Sequence, residues 1–299
     1  MTAPNIIPII DRGDPRIAPF ISIRDRDLTG GTDGRFIVEG KVPLGILLRR
    51  SRFEIDSLFL CETRLAPLAD PLSEVPDGVP IYTAPQSLMD EIAGSPIQRG
   101  ILACARNGPA LALESFLTDH PGLDPGPLSA RPDSRHEIPG QARDKRILIL
   151  NQISNHDNVG AAFRNAAAFG VDGILLDGQS CDPLYRKAIR VSSGASLWLP
   201  FHHGGTGEAH IEMLKAKGFT IWAMTPRADA APLQGQSIPY KLAILLGSEG
   251  PGLPATLLAA AQPVRIPMAE GFDSVNVATA GAIALAHVFS AKEPTQTES

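Results

Sequence analysis

The carboxy-terminal half of the chain restricts the possible folds most strongly. From Arg146 onward, short apolar runs alternate with segments of helical period. RILILNQ (146–152), GILLD (173–177), SLWLPF (196–201), FTIWAM (219–224), KLAILLG (241–247) and VRIPM (264–268) read as buried strands. Residues 158–170, 183–194, 208–218, 253–261 and 275–291 read as helices. A strand that is apolar on both faces needs cover on both sides, and a helix returning between strands makes them parallel. The expectation is an α/β domain over 146–291 with a mainly parallel sheet covered by helices on both faces.

The rest of the chain is less regular. Residues 1–33 are rich in Pro, Gly, Asp and Arg and read as an amino-terminal arm. Over 34–118, the runs FIVEG, SLFLCE, VPIYTA and GILACA alternate with helix-like stretches at 41–51 and 85–94, the pattern of a smaller α/β domain. Residues 119–145 have linker composition, and 292–299 read as a frayed tail.

Several classes of protein are disfavoured. No run of about 18 apolar residues is present, so no membrane partner is expected. The start, MTAPNIIPIIDRGD, lacks the basic and apolar regions of a secretory signal. Cys61, Cys104 and Cys181 lie far apart without a CxxC, which fits a reducing cytoplasm. His156, His202, His203 and His210 lack a metal-ligand spacing with carboxylates, so no metal is expected. The net charge is −5, from 27 basic and 32 acidic residues. A nucleic-acid partner would have to be held by local patches.

In parallel sheets, ligands gather beyond the carboxyl ends of the strands. Three loops placed there carry unusual polar groups. The first, NQISNHDNVGAAFRNAA, leads into a helix through Asn158 and Gly160, with Arg164 further on. It reads as an anion site at a helix start or, equally, as an Asn cap with a solvent Arg. The second, LLGSEGPGLP (245–254), surrounds Ser248 and Glu249 with glycines and prolines. It is not a P-loop, because no GxxxxGK[ST] is present. It reads as a turn whose backbone groups hold the edge of a ligand, or as a plain strand-to-helix turn. The third, IPMAEGFDSVNVATAGAIALAH (266–287), places Ser274 where an N-cap belongs and Asn276 in the first turn of a helix rich in small residues.

Together these loops resemble the three signature motifs of the SpoU (TrmH-like) RNA 2′-O-ribose methyltransferases of the SPOUT superfamily. The motifs run from Asn158 to Arg164, from Leu246 to Leu253 and from Ile266 to Val277. The segments FIVEG and IQRGILA resemble the L30e-like substrate-binding domain of longer members. The resemblance implies a carboxy-terminal domain with a trefoil knot, a homodimer, and a cytoplasmic enzyme acting on tRNA or rRNA. It implies S-adenosylmethionine as methyl donor, bound by Leu246, Gly247, Gly250, Ile266, Met268, Ser274, Val275 and Asn276. The catalytic group it implies is Arg164, Asn158, Glu249, Ser274 and Asn276.

A guanidinium stays charged at any ordinary pH. The role expected of Arg164 is therefore to hold a phosphate and stabilise charge developing on the 2′-oxygen. Motif two commonly has Asn where this chain has Ser248, and motif three commonly has Leu where it has Val275. RNA affinity would come from Arg24 and Arg26, Arg49 to Arg52, Arg99, Arg143 to Arg146 and Arg186 to Arg190. The alternative is a catalytically inactive RNA-binding homologue. An unrelated nucleotide-cofactor enzyme is disfavoured by the absence of a GxGxxG.

Overall fold

The computed structural model describes residues 5–23, 34–97, 99–108, 110–113, 116 and 145–291. Two compact units emerge. One comprises residues 1–110 with 182–198, and the other 111–181 with 199–299. Of the linker expected over 119–145, residues 119–144 lie outside the described residues, as does the tail at 292–299, and Lys145 begins a strand.

The first unit is built on a mixed five-stranded sheet. Its strands are β1 (Ile6–Pro8), β2 (Arg35–Glu39), β3 (Ile55–Cys61), β4 (Ile81–Ala84) and β5 (Ile101–Arg106), in the order β1-β4-β3-β5-β2. β1, β4 and β3 run parallel, while β5 is antiparallel to both β3 and β2. Helices α1 (Lys41–Arg50), α2 (Ala69–Leu72) and α3 (Gln86–Ala93) connect them.

Residues 5–23 do not form the free arm expected over 1–33. β1 pairs with β4, and Ile9, Ile17, Phe20 and Ile23 are fully buried beside Phe59 and Met89. Each such side chain contributes about 1.5–3 kcal/mol on burial, enough to hold a Pro-rich segment that has little regular structure of its own.

Segment 182–198 also groups with the first unit, although it lies within the span expected for the carboxy-terminal domain. It contains α5 (Arg186–Val191), which follows α4 (His156–Ala168) of the second unit in the chain and is shorter than the expected 183–194. Gly194 ends it in a left-handed conformation at φ 83°, and Ala195–Leu197 then form a 3-10 turn. SLWLPF is therefore not a strand over 196–201. The chain extends only from Phe201, after Pro200, whose ring nitrogen cannot donate to a ladder.

The second unit is a seven-stranded sheet in which every pair is parallel. Its strands are β6 (Lys145–Leu150), β7 (Gly173–Leu176), β8 (Phe201–His203), β9 (Thr220–Met224), β10 (Ala231–Pro232), β11 (Lys241–Leu246) and β12 (Gln262–Arg265). The order is β10-β12-β9-β11-β6-β7-β8. β11 lies between β9 and β6 and is buried from Leu242 to Leu246. Helices α4 (His156–Ala168), α6 (Gly207–Ala216), α7 (Ala255–Ala259) and α8 (Val277–Ser290) cover the sheet. The α/β architecture expected from the alternation is the one observed.

Packing at the core is tight. Trp222 on β9 and Phe163 on α4 are almost wholly buried, and Phe163 meets Phe201 edge-on at 5.6 Å. Gly281 lets α8 lie close to β11, because a Cβ there would stand 2.8 Å from a methyl of Leu246. Arg146 is buried, its Nη1 donating to the carbonyls of Lys145, Pro239 and Tyr240.

His210 on α6 is fully buried, with the ring of His202 at 5.7 Å. Burial, and secondarily the charge of His202, hold its pKa below the ordinary value of 6.5. Below pH 6.5 the unfolded chain takes up a proton that the native state resists, so native stability falls with pH in that range. Urea unfolding at pH 7.5 and pH 5 should show a smaller loss in His210→Leu than in the parent. An equal loss would place the acid sensitivity elsewhere.

Candidate active site

The loop after β6 is fixed by a buried carboxylate. Asp177 accepts from the backbone N–H of Gln152 at 2.9 Å, from that of Ser180 at 3.0 Å and from the Ser180 hydroxyl at 2.6 Å. Gln152 takes the left-handed conformation at φ 58° to make this turn. Asn155 then caps α4, accepting from the N–H of Asp157 at 2.8 Å. Asn158 is therefore not the cap. It lies inside the first turn, buried, with its side chain directed to the other loops.

The loop after β11 returns sharply. A Cβ on Gly247 would stand 2.7 Å from Leu253 Cγ and 2.8 Å from its backbone nitrogen, so only glycine fits without displacing the loop. Gly250 and Gly252 adopt φ of 92° and 70°. Ser248 pairs with Gly252 across the turn, and its hydroxyl donates to the Gly252 carbonyl at 3.3 Å. A short side chain closes this turn from within.

The loop after β12 leads into α8, and its cap is Asn276 rather than Ser274. Asn276 Oδ1 accepts from the N–H groups of Ala278 at 2.9 Å and Thr279 at 3.3 Å. Its Nδ2 donates to Glu249 Oε1 at 2.8 Å and to Asn158 Oδ1 at 2.9 Å. Asn158 Nδ2 donates to the same Glu249 oxygen at 2.9 Å. One residue from each loop thus enters a closed triangle. Two turns further along α4, Asn165 donates to the Ala278 carbonyl at 3.0 Å and ties the two helices together.

Beside this triangle, at the carboxyl ends of β9, β11 and β12, lies a cavity of about 710 Å³. That is within the range of small-molecule sites. Leu246, Gly247, Gly250, Ile266, Met268, Ser274, Val275 and Asn276 all line it, as does Glu249. Asn158 touches the cavity only through its two partners. Arg164 is not at the cavity wall. It is six residues beyond Asn158 on α4, about 120° around the helix, and is exposed. Its side chain makes no hydrogen bond or ion pair with another described residue.

A fourth loop enters the wall that sequence reasoning did not select, contributing Thr225, Pro226 and Arg227 beyond Met224 at the end of β9. It satisfies the same carboxyl-end rule. Its side chains form no familiar motif, so only the strand position could have drawn attention to it.

Many cations expected to contact RNA serve the fold. Arg49 pairs with Glu74, Arg50 lies 4.0 Å over the Trp198 ring, and Arg186 binds the buried Glu39 at 2.5 Å. Arg146 is internal, while Arg24, Arg26 and Arg143 lie outside the described residues. Arg99 and Arg190 retain exposed side chains.

Comparison with known proteins agrees with this architecture. Residues 145–286 match the SpoU rRNA methylase family. The uncharacterised tRNA/rRNA methyltransferase Rv0881 of Mycobacterium tuberculosis is 35% identical over 284 residues, covering 92% of this chain and 89% of that one. The 23S rRNA (guanosine-2′-O-)-methyltransferase RlmB of Acinetobacter baylyi is 27% identical over 216 residues, 70% of this chain and 78% of its own. The crystal structure of an AdoMet-bound rRNA methyltransferase from Sinorhizobium meliloti superposes with a TM-score of 0.72 at 19% identity, covering 97% of this chain and all of that one. The AdoMet complex of the SpoU methyltransferase AviRb from Streptomyces viridochromogenes gives 0.68 at 20% identity, over 90% and 98% of the two chains. The chain belongs to the SpoU methylase family, and its fold is that of these enzymes.

The two functions of Asn276 can be separated. Asn276→Ala removes the α8 cap and should cost about 1 kcal/mol, or about 2–4 °C in Tm. Asn276→Ser keeps a capping oxygen and should recover part of that loss without restoring the bond to Glu249. Equal melting temperatures for the parent and both variants would show that the cap contributes nothing.

Proposed function

We propose that the protein transfers a methyl group from S-adenosylmethionine to a ribose 2′-hydroxyl of tRNA or rRNA. The observation that carries this reading is the meeting of all three motif loops at one cavity beyond the carboxyl ends of a parallel sheet, joined by the Asn158–Glu249–Asn276 triangle. Membership of the SpoU family supports it, as do relatives named as 2′-O-methyltransferases of rRNA.

The cavity suits the donor. Leu246, Ile266, Met268 and Val275 supply apolar wall for an adenine, and the turn from Gly247 to Gly252 brings backbone groups to its edge. Glycine at 247 lets the chain turn back tightly on Leu253, which sets the position of that turn at the cavity wall. When bound, S-adenosylmethionine supplies a methyl group already activated by its positive sulfur. What remains for the chain is to orient the acceptor oxygen and ease loss of its proton. Glu249 places negative charge beside the donor site, oriented by two amide N–H groups. Ser274 and Asn276 offer polar atoms at the same wall.

Arg164 is assigned to the acceptor RNA. An exposed guanidinium is suited to a phosphate and to charge developing on the neighbouring 2′-oxygen. Its distance from the cavity wall within one chain supports a further part of the proposal, that two copies pair and the RNA is gripped near their junction. Ile283 and Phe289 on α8 are exposed large apolar residues, and Phe289 lies 6.0 Å from Phe169, the residue that ends α4. The knotted backbone path and the RNA-selecting role of the first unit belong to the same reading.

Mass-spectrometric mapping of ribose methylation in total RNA from a strain lacking the protein should show one 2′-O-methyl nucleotide missing. The parent gene should restore it. Arg164→Ala should not, although the purified variant melts as the parent does. An unchanged methylation map would favour the inactive RNA-binding homologue. Sedimentation should give a dimer for the parent and a monomer for Ile283→Asp/Phe289→Asp, and a monomeric parent would remove the pairing.

A further inference from the structure

The cavity wall contains one feature that the family motifs do not include. Among its lining residues Arg227 is the sole cation, and the same lining contains Glu249 and Asp273. Its guanidinium is already oriented. Nε donates to Asp229 Oδ1 at 2.9 Å and Nη2 to Asp229 Oδ2 at 2.6 Å, a fork within a tight turn. That grip uses one edge of the planar group, and Nη1 makes no hydrogen bond with another described residue. The backbone supports the placement, with the Arg227 N–H directed to the Thr225 hydroxyl at 3.5 Å and the Arg227 carbonyl accepting from Ala230 at 3.1 Å.

Charge matching gives this arginine a partner. S-adenosylmethionine carries a positive sulfur and an ammonium against one carboxylate, a net charge of +1. The wall carries two acidic groups against one cation, and with Asp229, which grips that cation from outside the wall, the formal net charge is −2. The ligand's lone anionic group therefore has one natural counterpart among the wall residues. A guanidinium held by one edge presents the remaining N–H groups to a carboxylate with little loss of side-chain freedom on binding. Glu249 and Asp273 are left to the positive sulfur and ammonium.

We propose that Arg227 is the residue that binds the carboxylate of the methyl donor and so fixes its amino-acid end in the cavity. This rests on the methyltransferase reading and extends it to a loop outside the three motifs. Asp229 acts as a positioning residue that holds the guanidinium in place.

Calorimetric titration with two ligands tests the assignment. S-adenosylmethionine and its decarboxylated analogue differ in the carboxylate alone. The parent should bind the first at least about tenfold more tightly, in line with a charged hydrogen bond of about 1.5–3 kcal/mol. Arg227→Ala should lose that preference, binding S-adenosylmethionine about tenfold more weakly and the analogue unchanged. Arg227→Lys should recover part of it, and Asp229→Ala should retain the analogue's affinity while lowering that of S-adenosylmethionine by less. Equal weakening of both ligands in Arg227→Ala, or weakening of neither, overturns the assignment. The second result accompanied by weaker RNA binding would give Arg227 to the acceptor instead. A parent that binds neither ligand would reject the methyl-donor reading itself, which is distinct from a parent that binds both without preference.

Discussion

The site depends on one oxygen atom. Glu249 Oε1 accepts from Asn158 and from Asn276, and those two amides also bond each other. The three residues come from loops after β6, β11 and β12, separated by 91 positions in one case and 118 in another. Hydrogen bonds to a carboxylate are stronger than those between neutral groups, and a closed set orients every member. Asparagine is suited to the two corner positions because one amide both donates and accepts. Asn276 uses its oxygen to cap α8 and its nitrogen to reach the triangle, so the start of a helix and the wall of the cavity are set by one side chain.

The sheet makes that meeting possible. β11 is inserted between β9 and β6, which brings the loop after Leu246 beside the loop after Leu150 and close to those after β9 and β12. Two glycines permit the close approaches: Gly281 where α8 lies against Leu246, and Gly247 where the chain turns back on Leu253. Neither is replaceable without moving a neighbour; Gly247 lies within the second motif, and Gly281 lies on the helix that follows the third.

Much of this was legible in the sequence because parallel strands buried on both faces have a strong apolar signal. The strands at 146–152, 219–224 and 241–247 and the long last helix were placed close to where they occur. The failures have physical causes. Residues 5–23 are held by tertiary burial of Ile9, Ile17 and Phe20, which a Pro-rich local pattern hides. SLWLPF has a strand-like composition, but the left-handed Gly194 before it and Pro200 within it direct the chain into a 3-10 turn. At the site, motif spacing identified the loops, while the division of labour within each was local detail. Asn155 rather than Asn158 caps α4, and Asn276 rather than Ser274 caps α8. Arg227 escaped notice because a lone arginine in a turn carries no pattern. Of the arginines expected to meet RNA, Arg146 is buried against backbone carbonyls and Arg186 is paired with Glu39, partnerships that residue type alone does not reveal.

Loops distant in sequence meet at one cavity, the proposed cradle of a sulfonium cofactor. Hydrogen–deuterium exchange of the intact protein with and without S-adenosylmethionine tests that assignment most directly. Added donor should slow exchange together in three segments, 224–228, 246–253 and 266–278, with little change in residues 34–97. Protection confined to one of these segments, or appearing mainly in the first unit, would contradict it.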